Sequence, residues 1–364
     1  MLPYKPESLP IQTLEWKPLI SLVGRANAVL SQYSGLLKGI VNPHVLLSPL
    51  TMQEATLSSN IEGTQATVSE VLESEAGQVY TEEKQRDIRE IINYRKAMIE
   101  AEHMLKERPF IHLNMIKALH KILLEEVRGQ DKARGQFRLD QNWIGPLGCT
   151  IENAKYVPPA PMDMLQALDN WEKYINDEDI DALFQLAFVH AQFEIIHPFK
   201  DGNGRIGRIL IPLFLFTKKY LPLPVFYLSE YLENNREEYY NRLNDITQKH
   251  DWQGWVEFFL TAIIKQAEVN SIKAERILSL YREMKDKVPV CIHSQYASSV
   301  VDALFVCPIF NSNQFLENGK IETRGTANKL LTKLVQHGFL KISRQAVGRR
   351  PAIYAFKDLL SIVA

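Results

Sequence analysis

The 364-residue chain is 46% hydrophobic and 23% charged, the make-up of a soluble globular protein with room for several domains. A net charge of −1 excludes a generic polyanion binder, so any basic surface must be local. Three cysteines without CxxC spacing exclude a disulfide framework and a Cys/His zinc site and point to a reducing compartment.

The first residues, from Met1 to Pro6, lack the charged-then-apolar run of a secretion signal. The longest apolar stretches, such as Ile209 to Phe216, fall far short of the ~20 residues that span a bilayer. The expected location is cytoplasmic, with no membrane partner.

In chain order, a Pro-containing lead-in gives way to a helix over Leu19–Leu37. Ser48-Pro49 writes a helix start, with Ser as cap and Pro in the first turn, and that helix runs to Ile61-Glu62 and stops at Gly63. Further helices are predicted from Thr81 to Met104 and from Leu113 to about Val127. The Gly-, Pro- and Asn-rich segment Gly129–Pro159 reads as a β-hairpin or ordered loop. Helices resume over Met162–Ile175, Ile180–Phe193, Arg205–Lys219, Arg236–His250 and Trp252 to about Lys285, the last a connector. Beyond Val290, helices at Ala297–Val306, Ser312–Leu316 and Thr323–His337 precede strands at Phe339–Ser343 and Ala352–Phe356, the order of a winged helix-turn-helix. The fold class is mainly α. Its expected parts are an N-terminal helical region (1–110) with the helix at 48–63, a central domain (111–265), a connector (266–289) and the winged-helix module (290–364).

The chemistry sits in His197-Pro198-Phe199-Lys200-Asp201-Gly202-Asn203-Gly204-Arg205-Ile206-Gly207-Arg208. Pro198 stops one helix, and Gly202 and Gly204 free the backbone before the next begins. A glycine-rich loop feeding a helix N-terminus leaves N–H groups aimed at an anion. Arg205 and Arg208, three apart, share a helix face and can hold a polyphosphate. Asp201 offers the hard oxygen that phosphate-bound Mg²⁺ prefers, and His197 alone can take a proton near neutral pH. A His before Pro, or Gly-Asn-Gly, is ordinary by itself. Their concentration within twelve residues is not.

This string resembles the H-P-F-x-[D/E]-G-N-G-R-x-x-R motif of the Fic family at every defining position. The resemblance implies AMP transfer from ATP to a Tyr, Ser or Thr hydroxyl of a target protein, with self-modification included. His197 would be the general base and Asp201 the Mg²⁺ ligand. Gly202, Asn203 and Gly204 would form the anion nest, continued by Ile206 and Gly207, with Arg205 on the β-phosphate and Arg208 on the γ-phosphate. Phe199 would anchor the loop. Ser58-Ser59-Asn60-Ile61-Glu62-Gly63 resembles the family's inhibitory helix, which implies that Glu62 pairs with Arg208 where the γ-phosphate would sit. Tyr156-Val157-Pro158-Pro159 would be the edge of a flap that takes up target backbone. Asn235, Tyr239 and Tyr240 fall where the family places residues near the adenine, although a Tyr pair on a helix also fits a core.

Two other functions share these residues. One is removal of AMP, or transfer of another phosphate-containing group. The other is a DNA-binding regulator whose Fic domain senses nucleotide. From Cys291 onward nine Lys/Arg face four Asp/Glu, a net +5, with Arg324, Lys329, Lys333, Arg349 and Arg350 as candidate DNA contacts. A homodimer is compatible with the sequence, and the short link from Glu62 favours inhibition within one chain.

Overall fold

The computed structural model describes residues 2–129, 131–146, 148–348 and 350–363. Arg349, one of the candidate DNA contacts, lies outside them.

The protein is mainly α-helical: α1 (Trp16–Lys38), α2 (Pro43–Leu46), α3 (Ser48–Ile61), α4 (Val68–Glu75), α5 (Glu82–Glu107) and α6 (Leu113–Leu123) come first. There follow α7 (Pro161–Asn176), α8 (Ala182–Ile196), α9 (Asn203–Thr217), α10 (Ser229–Asn234), α11 (Arg236–Lys249) and the long α12 (Trp252–Ile292). The chain closes with α13 (Ala297–Val306), β1 (Ile309–Asn311), α14 (Ser312–Asn318), α15 (Arg324–Gln336), β2 (Lys341–Arg344), β3 (Ile353–Ala355) and α16 (Lys357–Val363). None of the described helices is long and apolar enough to cross a membrane.

Two compact units emerge: residues 1–34, 57–64 and 93–268 form one, and 35–56, 65–92 and 269–364 the other. Four boundaries fall inside α1, α3, α5 and α12, and the fifth, after residue 64, falls between α3 and α4. In the first unit α8 is apolar on every face and buried along nearly its whole length, as a central helix must be. Asp181 caps its start by accepting from the Leu183 N–H at 2.7 Å. The indoles of Trp171 and Trp255 donate to the carbonyls of Val189 and Ala187 at 2.8 Å each, which fixes α7 and α12 against α8.

In the second unit the three strands form an antiparallel sheet in the order β1-β3-β2, with Ala355 opposite both Ile309 and Lys341. The side chains of Asn311 and Gln314 donate to Ala76 O and Glu75 O, and Arg344 donates to Gly77 O, so the sheet and α14 pack on the end of α4. That helix, absent from the sequence prediction, opens on a capping box of Thr67 and Glu70. Of the β-hairpin or ordered loop expected in Gly129–Pro159, the described residues form an ordered loop with one antiparallel bridge, Ile144 with Tyr156.

Candidate active site

The site forms where α8 ends and α9 begins. His197 terminates α8 in a left-handed conformation (φ 48°), and Gly202 precedes α9 with φ 78°. No side chain caps α9, so its first N–H groups face the loop, the arrangement that attracts anions.

The loop is clamped from within. The Asn203 side chain accepts from the Phe199 N–H at 2.8 Å and donates to Phe199 O at 2.9 Å, so its amide serves the loop rather than a ligand. Phe199 is buried and stacks on His120 at 3.8 Å between ring centroids. His120 Nδ1 accepts from the Gly135 N–H at 2.9 Å, which leaves Nε2 as the donor to Asp201 O, also at 2.9 Å. Burial pulls its pKa down to about 4, in keeping with a neutral ring. Arg138, itself buried, donates to the carbonyls of His197, Pro159 and Asp140 at 3.0, 2.6 and 3.2 Å. Neither His120 nor Arg138 was singled out in the sequence. Both act across long chain separations; Arg138 lay among Gly and aromatic residues, while His120 sat in an apolar helix run with no local signal.

His197 Nδ1 lies 3.3 Å from Glu194 O; a carbonyl only accepts, so Nδ1 carries the proton and Nε2 keeps the lone pair. Burial lowers the imidazole pKa to about 4, so the ring is neutral at pH 7 and able to accept a proton.

Arg208 is held from two directions. Its Nε donates to Ser58 Oγ at 2.8 Å, while one terminal nitrogen donates to Ser58 O at 2.8 Å and Glu62 Oε1 at 2.7 Å. The guanidinium is 1% exposed and the Glu62 side chain 33%. Burial pushes the Glu62 carboxyl up, but the Arg208 guanidinium, with Arg205, outweighs it and holds the pKa below its ordinary value. The backbone explains the placement. Thr64 N–H bonds to Ser59 O and Gly63 N–H to Asn60 O, a Schellman closure of α3 in which Gly63 takes φ 98° and Glu62 is the capping residue. The carboxylate also lies on Gly204, where an added Cβ would overlap Glu62 Oε1.

Asp201 Oδ1 pairs with Arg205 at 3.3 Å and Oδ2 with Lys132 at 3.1 Å. Glu194, one turn before His197, is a carboxylate that was not singled out in the sequence: it rests on Gly207, and burial raises its pKa to about 7.

Several expectations need correction. Ile206 is fully buried packing. Gly207 faces Glu194 and its carbonyl lies 3.2 Å from His190 Nδ1, so neither residue presents itself to a ligand. Tyr239 is buried, its hydroxyl 3.0 Å from His190 Nε2 and its ring among Trp255 and Phe258, so it cannot stack on a base. Tyr240, one position on, is 43% exposed with Arg236 over its ring. Asn235 joins α10 to α11 and its amide is bonded to Tyr231 O. Val157, Pro158 and Pro159 are buried rather than an open edge, their carbonyls taken by the Tyr4 N–H, Gln141 and Arg138 at 2.9, 2.8 and 2.6 Å; the Tyr156 hydroxyl donates to Ile195 O. In the C-terminal segment Lys333 is committed to Ile292 O at 2.7 Å, whereas Arg324, Lys329 and Arg350 are exposed.

Comparison with known proteins bears directly on this geometry. Residues 20–103 match the Fic/DOC family N-terminal region, and residues 110–215 match the Fic/DOC family. The chain belongs to the Fic/DOC family. Its curated relatives include the protein adenylyltransferase Fic of Drosophila mojavensis, 25% identical over 222 residues, covering 59% of this chain and 38% of the relative. A probable protein adenylyltransferase of Aquifex aeolicus is 28% identical over 173 residues, covering 39% of this chain and 53% of the relative. The aligned part thus spans only about two fifths to one half of those relatives. Among solved structures, a Fic family protein from Desulfovibrio desulfuricans matches 95% of this chain and 98% of its own with a TM-score of 0.61 at 20% identity. Fic-1 from Caenorhabditis elegans matches 71% and 74% with a TM-score of 0.54 at 22% identity. At those identities the shared property is the Fic fold.

Proposed function

We propose that this Fic/DOC chain is a protein adenylyltransferase that moves AMP from ATP to a hydroxyl of a target protein, and that Glu62 restrains it. The observation that carries the proposal is the Glu62–Arg208 pair at 2.7 Å, seated over Gly204 at the start of α9. An arginine so placed among unpaired helix N–H groups suits the end of a polyphosphate, and a carboxylate already there competes with it.

The residues divide the work as follows. The α9 N-terminus, Gly202 to Gly204, receives phosphate oxygens, and Arg205 and Arg208 neutralise their charge. Among the described residues no three His, Cys, Asp or Glu side chains converge as a metal cluster. Asp201 by itself is the donor expected for Mg²⁺ that draws its other ligands from phosphate and water. A magnesium ion there would screen the phosphates flanking the bond that breaks. The target hydroxyl gives its proton to His197 Nε2 as its oxygen attacks the α-phosphorus; the new P–O bond forms as that to pyrophosphate breaks. Tyr240 offers an exposed ring for the base.

Incubation of the chain and of Glu62→Gly with ATP labelled on either the α- or the γ-phosphate tests this. Retention of the α-label alone on protein, the enzyme itself included, supports AMP transfer; retention of the γ-label would mean phosphorylation instead.

For the C-terminal segment, the order α13-β1-α14-α15-β2-β3 supports a winged helix-turn-helix. The exposed Arg324 and Lys329 on α15 favour contact with a nucleic-acid backbone. Salt-sensitive duplex binding lost in the Arg324→Ala/Lys329→Ala variant would support it; salt-insensitive or absent binding would assign the segment to protein contact.

A further inference from the structure

We propose that Lys132 is a second internal competitor at this site: its ammonium holds the Asp201 carboxylate oxygen that a nucleotide-bound divalent cation must take. The inference rests on the nucleotidyl-transfer reading above. Lys132 Nζ lies 3.1 Å from Asp201 Oδ2, while Arg205 holds Oδ1 at 3.3 Å, so both oxygens are engaged by cations. A metal ion approaching Asp201 has to displace one of them.

The two partners are not equivalent. The Arg205 side chain is 4% exposed and fixed within α9, whereas Lys132 is 54% exposed on a flexible stem, so the lysine is the one that yields.

The placement of Lys132 is built into the backbone. Gly129, at φ 83°, packs so close to Asp201 that an added Cβ would come within 2.8 Å of Oδ2. The Lys132 N–H then donates to Gly129 O at 2.9 Å and closes a turn that returns the lysine to the carboxylate. Ala133 and Gly135 follow in left-handed conformations, φ 57° and 75°. The Gly135 N–H bonds to His120, whose other nitrogen holds Asp201 O. One imidazole therefore ties the lysine's segment to the residue the lysine contacts. The two groups assigned above to metal and γ-phosphate, Asp201 and Arg208, are thus each matched by an opposite charge from elsewhere in the chain.

An ion pair this exposed has a modest strength, so its removal should change metal–nucleotide affinity by about two- to fivefold. The test is equilibrium binding of a fluorescent, non-hydrolysable ATP analogue to the full chain carrying Glu62→Gly, with saturating Mg²⁺ and in EDTA. Adding Lys132→Ala should tighten binding of the Mg²⁺-loaded analogue about two- to fivefold and leave the metal-free analogue no tighter. Lys132→Arg and the remote Lys173→Ala should match the parent. Lys132→Gln keeps the stem and repeats the test if Ala disturbs the turn, as thermal unfolding would reveal. Unchanged or weaker binding of the Mg²⁺-loaded analogue in both neutral variants overturns the inference, weaker binding meaning that the ammonium assists the phosphates. If no variant binds the Mg²⁺-loaded analogue, the nucleotidyl-transfer reading fails, and the inference with it.

Discussion

Arg208 reaches back 150 residues to take both the hydroxyl and the carbonyl of Ser58, and so ties the C-terminal turn of α3 to α9. Because Nε is buried, loss of its acceptor cannot be repaired cheaply by water. Ser58→Ala should cost about 1–3 kcal/mol of stability, the penalty for an orphaned buried donor. Chemical denaturation of the two proteins measures it, and a change within error would show that Ser58 is not what positions the guanidinium.

His197 should be needed for the chemical step and not for nucleotide binding. His197→Ala is expected to lower AMP transfer about 10²–10⁴-fold with ATP binding nearly unchanged. Its pKa of about 4 means that the base stays deprotonated through neutral pH, so the rate should not fall between pH 8 and 6 on account of this group. A variant that transfers AMP at the parental rate would place the base elsewhere.

His120 should matter to stability and to the shape of the loop. Its loss removes two hydrogen bonds and a stacked ring, so His120→Ala should destabilise the chain by about 2–4 kcal/mol. The NMR signature of the ring in the parent should be a neutral Nε2–H tautomer that persists below pH 6. A cationic ring at that pH would contradict the assigned hydrogen bonds.

Acid should destabilise the fold well before most carboxylates titrate. Burial lowers His120 and His197 to about 4 and His190 to about 3, from an ordinary value of 6.5. The unfolded chain therefore binds these protons first, and stability falls as pH drops below 6.5. Glu194 acts in the opposite sense: with its pKa raised from 4.5 to about 7, its contribution is fully present below 4.5 and is lost as pH rises through 7. Between pH 6 and 5 the three histidines against one carboxyl leave a net uptake approaching two protons on unfolding, a slope of about 2–3 kcal/mol per pH unit. Urea midpoints across that range check the sign; stability that rises on acidification would show that the histidines are charged in the folded chain.

How much of this was legible depends on whether the partners are close in sequence. The residues from His197 to Arg208 form one loop and helix start, so their coming together was readable from spacing alone. The α3 stop at Gly63 was equally readable, because a glycine at the end of a helical stretch is a local signal. Adjacent residues on a helix differ by about 100° in direction, so Tyr239 and Tyr240 looked alike until the rest of the fold put one in the core and the other at the surface. The 156–159 edge looked open because the segment covering Val157 comes from Tyr4, far away in sequence. Helix α4 was missed although the Thr67-x-x-Glu70 signal was present, since eight residues give periodicity too little length to register.

The central claim, that Glu62 and the ATP γ-phosphate compete for Arg208, is tested most directly by AMP-transfer rates of Glu62→Gly, Arg208→Ala and the double variant. Two acceptors cannot both occupy the best geometry of one guanidinium, so Glu62→Gly should raise transfer. A tenfold gain corresponds to ~1.4 kcal/mol, within reach of one charged pair. The account predicts that Arg208→Ala and the double variant are both inactive, because the activation runs only through Arg208. A double variant as active as Glu62→Gly alone would contradict it.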